Sequence, residues 1–229
     1  MTSIQTESLE MYLQPTFFID SDSPQIIDYA RNVTNNIHLE IEKAIKLFYA
    51  VRDDIYYDPY RIDLKPESFK ASAVLKKRYG FCIPKAILLA AVARAENIPS
   101  RLGFADVKNH LNSERLKRYM QTDEFIFHAY TELFVENRWV KATPAFNVSL
   151  CEKSGVTPLE FDGKNDAIFH EYNKKGKKHL EYLRDRGQFA DFPYKKMIEA
   201  WQQHYPQLTS ERFNPIEGNF EEDVRSERN

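Results

Sequence analysis

Apolar positions near the start of the chain fall at helical spacing. Ser23-Pro24 precedes Ile26, Ile27, Ala30 and Val33, which reads as an N-cap, a first-turn proline and an apolar stripe, and predicts a helix from residue 24 to about 35. Ile37, Ile41, Ala44, Ile45, Phe48 and Val51 recur at about 3.6-residue spacing and predict a second helix over 37–53. Ile55-Tyr56-Tyr57-Asp58-Pro59-Tyr60 interrupts the pattern with a short extended segment and a turn at Asp58-Pro59. Residues 67–79 read as a third helix closed by Gly80. Tyr79-Gly80-Phe81-Cys82-Ile83-Pro84-Lys85 then leads into Ala86-Ile87-Leu88-Leu89-Ala90-Ala91-Val92-Ala93, a run of high helix propensity in which Pro84 suits the first turn.

Beyond that helix the period changes. Asn97-Ile98-Pro99 stops helical structure, and Arg101 to Val107 alternate as a strand does. Residues 108–122 are polar and read as a surface excursion. Phe125 to Val135, a turn near Glu136-Asn137-Arg138, and Trp139 to Pro144 predict an antiparallel hairpin, with Pro144 marking the end of its second strand. The pattern from 145 to 191 is mixed, and Glu181 to Gly187 read as a turn or a lid. Phe192-Pro193 opens a last helix through Met197, Ile198, Trp201 and Tyr205. This divides the chain into a lead-in (1–22), a core (23–150), an extension packed on the core (151–206) and a polar tail (207–229) expected to fray.

Composition narrows the class. The 229 residues are 42% hydrophobic and 29% charged, with 16 Phe and 13 Tyr, so a globular chain with an aromatic-rich interior is expected. A net charge of −2 offers no broad footprint for nucleic acid or an anionic membrane. No apolar stretch reaches the roughly 18 residues of a membrane span, and the first residues lack the pattern of a secretory signal, so a cytoplasmic location is expected. Cys82 and Cys151 are the two cysteines. They imply no disulfide framework; a single bridge between them stays open, and it would remove any nucleophile.

Two readings of Cys82 stand side by side: a small buried hydrophobe at the start of a core helix, or a thiol activated by the unpaired N–H groups and positive dipole end of that helix. A cysteine nucleophile needs a base brought from elsewhere in the fold. His128 is the candidate, on a strand whose period places it on one face with Tyr130 and Glu132. Cys82, His110, His128, His170 and His179 lack close zinc-ligand spacing, so neither metal nor cofactor is expected.

The order of these motifs is more specific than any one of them. Gly80-Phe81-Cys82 opening a helix, then Asn97-Ile98-Pro99-Ser100-Arg101, then His128-Ala129-Tyr130-Thr131-Glu132, then Trp139-Val140-Lys141-Ala142-Thr143-Pro144, resembles the transglutaminase-like superfamily of papain-like folds over about residues 25–150. The resemblance implies an α+β fold with a helical N-terminal part and the nucleophile helix packed on an antiparallel sheet. It implies Cys82 as nucleophile and His128 as general base and acid. At the third position it implies Thr143, where the family's pattern has aspartate. A threonine hydroxyl accepts a hydrogen bond but brings no charge, so Asn147 and Asp106 are the alternatives for orienting the histidine. Oxyanion stabilisation would come from the Cys82 N–H, with Tyr57 or Tyr79 as a side-chain contributor. The expected activity is cysteine-dependent acyl transfer or hydrolysis at an amide bond of a peptide or protein: water as acceptor makes a peptidase or amidase, an amine a transglutaminase. The alternative is an inactive transglutaminase-like fold serving as a binding module.

Overall fold

The computed structural model describes residues 9–109, 113–168, 180–210 and 216–227. Helices α1 (Pro24–Val33) and α2 (Glu40–Asp54) lead to a two-residue strand β1 (Tyr56–Tyr57), helix α3 (Ala71–Lys77), a two-residue strand β2 (Tyr79–Gly80) and helix α4 (Cys82–Ala95). Then follow β3 (Ser100–Asn109), α5 (Glu114–Met120), β4 (Glu124–Val135), β5 (Arg138–Ala142), α6 (Val148–Ser154), β6 (Leu180–Phe189), α7 (Tyr194–His204) and α8 (Phe220–Ser226). The fold is α+β, with one antiparallel sheet in the order β5-β4-β3-β6.

Helix α4 is the centre of the molecule. Every residue from Ile83 to Arg94 is buried, because its sequence is apolar around the whole circumference and leaves no face for water. It lies along the sheet, tied by Thr131 Oγ1 donating to the Ala86 carbonyl (2.8 Å) and Ser100 Oγ donating to the Ala90 carbonyl (2.8 Å). Its two cations satisfy backbone carbonyls. Lys85 Nζ, fully buried, donates to the Arg52 carbonyl at 2.9 Å and to the Ile55 carbonyl, closing the C-terminal end of α2. Arg94 donates to the carbonyls of Gln14, Ser100 and Ala190, holding three chain segments against the far end of α4.

The entry to α4 differs from expectation. The third helix begins as a 3-10 turn at Pro66–Phe69 and its α-helical part ends at Lys77, where Arg78 turns left-handed (φ 62). Gly80 therefore does not close that helix. Tyr79-Gly80 instead pairs in parallel with Tyr56-Tyr57, which brings the segment after α2 beside Cys82. Gly80 is needed there for space, since a Cβ would lie 3.0 Å from Pro84 Cβ.

The predicted hairpin forms as β4 and β5, through a turn with both Glu136 and Asn137 at positive φ (50 and 64), the combination of a primed two-residue turn. Three segments carry structure the pattern concealed. Residues 114–120, expected as polar excursion, form α5 with Leu116 and Met120 buried. Residues 180–189 form β6, an edge strand antiparallel to β3, where a turn or lid was expected, so part of the predicted extension completes the core sheet. Within the tail expected to fray, Phe220–Ser226 form α8 and bury Phe220 and Val224.

Candidate active site

Cys82 is the first residue of α4, where the first-turn N–H groups have no intrahelical acceptor. The backbone N–H groups of Ala129, Ile83 and Cys82 itself favour its anion, but burial outweighs them and pushes the thiol up to about 11. Of the two readings of Cys82, the helix end that would lower the thiol pKa is present, and desolvation around it is the larger effect. The side chain keeps partial exposure, toward a cavity rather than open solvent.

His128, buried in β4, lines the same cavity as Cys82. The backbone N–H of Ala129, the next residue, is among the groups that favour the Cys82 anion. This is possible because β5 leaves the ladder at the Thr131–Ala142 pair, so the β5 side of β4 is open from there toward its start. Two adjoining cavities meet at Cys82 and His128, and both include Tyr57, Leu116 and Phe125. Phe220 and Val224 of α8 wall the first, and Met120, Trp201 and Tyr205 wall the second. The second is almost wholly apolar and the first mostly so, which limits competing water and strengthens any electrostatic interaction at the sulfur.

The other expected residues divide. Thr143 follows β5, buried, its N–H donating to the Ala167 carbonyl (2.9 Å), while Oγ1 has no hydrogen-bond partner among the described residues. Asn147 is committed elsewhere: its Oδ1 accepts from the Tyr57 N–H (3.0 Å) and its Nδ2 donates to Ser149 Oγ (2.7 Å). It thus fixes Tyr57 at the cavity edge. Asp106 Oδ1 accepts from the Phe127 N–H (3.1 Å) and from Arg186 Nε. Of the two tyrosines, Tyr57 lines the Cys82 cavity and burial holds its pKa well above the usual range, with Cys82 and Asp58 adding to it. Tyr79 faces the neighbouring polar cleft, with the Arg61 guanidinium 4.9 Å from its ring centre.

The cavity walls from α5 and α8 were missed in the sequence. The signals were there: Ser113 caps a segment with Leu116 and Met120 four apart, and Asn219 caps one with Phe220 and Val224 four apart. Cys151 is buried in α6, burial raising its pKa to about 12, and both cysteines are free. Among the described residues no group of His, Cys, Asp and Glu side chains is arranged to hold a metal, and His110, His170 and His179 lie outside them. No described helix is long and apolar enough to cross a membrane.

Comparison with known proteins places this arrangement. The family model of the transglutaminase-like superfamily matches residues 27–144, about half of the chain, and the chain belongs to that superfamily. No curated protein matches it. Among solved structures it is similar to a candidate cysteine protease from Cytophaga hutchinsonii, with 16% identity and a TM-score of 0.48, covering 80% of this chain and 54% of that one. It is also similar to a candidate protease from Parabacteroides distasonis, with 18% identity and a TM-score of 0.38, covering 56% of this chain and 26% of that one. The chain thus spans about half the length of the first of these.

Proposed function

We propose that the protein is a cysteine-dependent enzyme acting on amide bonds of peptides or proteins, with Cys82 as nucleophile and His128 as general base and acid. The observation that carries this reading is that Cys82 and His128 line one mostly apolar cavity at the start of α4. Burial makes both ions of a thiolate–imidazolium pair expensive, and Thr143 supplies no carboxylate to stabilise the cation. The resting pair is therefore neutral, and His128 takes the thiol proton as the sulfur attacks the carbonyl carbon.

The N–H groups of Cys82 and Ile83 hold the resulting oxyanion. As the C–N bond breaks, His128 returns the proton to the departing amine and leaves a thioester on Cys82. A water, or a second amine, then gives its proton to His128 while its O or N bonds to the acyl carbon, and the departing sulfur takes that proton back. Water as acceptor is peptidase chemistry and an amine is transamidation. A specific observation also favours an inactive binding module, namely the combination of a thiol raised to about 11 with an uncharged Thr143.

Incubation with a mixture of denatured polypeptides and a labelled primary amine separates the readings. The enzyme reading expects new amino termini or amine incorporation by mass spectrometry with the wild type, absent in Cys82→Ala. Identical output from the two proteins overturns it.

A further inference from the structure

β4 does not run straight into His128. Ala105 pairs with His128 and Val107 with Phe125, so Ile126 and Phe127 together face Asp106 alone, which is a β-bulge. At the bulge Phe127 adopts φ 64, a left-handed conformation uncommon outside glycine and asparagine. Its N–H, which the ladder leaves over, is taken by Asp106 Oδ1 at 3.1 Å.

A second irregularity meets the first from the other side. In β6, Asp185 and Gly187 pair with the adjacent residues Ala105 and Phe104, so Arg186 is the extra residue of a bulge in that strand. Its Nε donates to the same Asp106 oxygen, and its guanidinium lies 4.6 Å from the centre of the Phe127 ring. Both side chains of the pair are largely buried. The Ile126 backbone of the bulge is held from α7 and its C-cap: Tyr205 Oη accepts from the Ile126 N–H (2.7 Å) and Trp201 Nε1 donates to the Ile126 carbonyl (3.1 Å).

Bulges recur where a strand must re-aim a side chain, and this one ends at the residue before His128. We infer that Asp106, held by Arg186, is a positioning residue for His128: its carboxylate fixes the Phe127 bulge and so sets where β4 delivers the imidazole relative to the Cys82 sulfur. This rests on the Cys82–His128 reading and adds to it. The carboxylate acts through the backbone of its neighbour strand.

The test measures the rate of Cys82 alkylation by iodoacetamide against pH, in a Cys151→Ser background, beside thermal melting. Asp106→Leu removes the acceptor, and a small misplacement of a reacting group costs about tenfold to 10²-fold. Its alkylation at neutral pH is expected to fall by that factor, toward the His128→Ala level. Asp106→Asn keeps an acceptor for the Phe127 N–H and is expected to retain most of the rate. Adding Phe127→Gly to Asp106→Leu, so that the left-handed residue needs no restraint, is expected to recover part of it.

Should Asp106→Leu not fold, Arg186→Met carries the test, with a smaller fall in the same direction. The inference is overturned if the Asp106 and Arg186 variants keep the wild-type profile while His128→Ala loses it, or if rate follows melting temperature alone with no recovery from Phe127→Gly. An effectless His128→Ala would instead overturn the underlying Cys82–His128 reading.

Discussion

Cys82, the first residue of α4, and His128 of β4 line the same cavity. That single relationship joins the start of α4 to the open side of β4, and it brings into one place two residues with a strand and a helix, β3 and α5, between their elements in sequence. A thiol so placed is desolvated as well as supported. Its behaviour therefore depends on whether a neighbouring base can take its proton.

Thr143→Asp is the first consequence. A carboxylate at the third position would stabilise an imidazolium on His128 and shift the neutral pair toward the ion pair. The larger share of thiolate is expected to speed Cys82 alkylation near neutral pH by about tenfold or more for a charge within a few ångströms. An unchanged profile would place position 143 away from the ring.

Asn147 makes a contrasting case. Its side chain is bound to the Tyr57 N–H and to Ser149 rather than held available for an imidazole. Asn147→Ala is expected to cost roughly 0.5–1.5 kcal/mol of stability by denaturant melting, the range for a lost intramolecular hydrogen bond. The pH at which alkylation rises should stay where it is. A displaced profile with unchanged stability would return Asn147 to the role of orienting the histidine.

Lys85 supplies a pH-dependent stability. Burial holds its pKa well below the ordinary 10.5. Between the lowered folded value and the ordinary unfolded one, the unfolded chain binds a proton that the folded chain does not, so stability rises with pH through that window. A neutral amine still has two N–H donors for the carbonyls of Arg52 and Ile55. Lys85→Met leaves those carbonyls without a donor and removes the titration. It is expected to destabilise by roughly 1–3 kcal/mol near neutral pH, with the deficit against wild type growing as pH rises. A deficit that shrinks with pH would contradict the sign.

Much of this was legible in the sequence wherever one period or one composition dominated. The wholly apolar Cys82 helix and the aromatic and β-branched strand from Phe125 to Val135 declared themselves by composition, and α1 and α2 by their apolar stripes. The family motifs then put Cys82 and His128 in the right order. What stayed hidden depends on partners far away in sequence. β6 is a polar edge strand whose only signature is its pairing with β3. The Phe127 bulge is invisible without Asp106 and Arg186 beside it. The raised thiol pKa arises from walls contributed by α5, α7 and α8, so no reading of the residues around Cys82 could weigh desolvation against the helix dipole.

The central claim, that His128 serves as base for the buried Cys82 thiol, is tested most directly by the pH dependence of Cys82 alkylation in wild type and His128→Ala. The wild type is expected to show a rise in reactivity at a pH well below the thiol's own value of about 11. His128→Ala is expected to lose that rise, react about 10²-fold or more slowly at pH 7, and gain reactivity only toward the thiol's own value of about 11. Superimposable profiles for the two proteins would contradict the account.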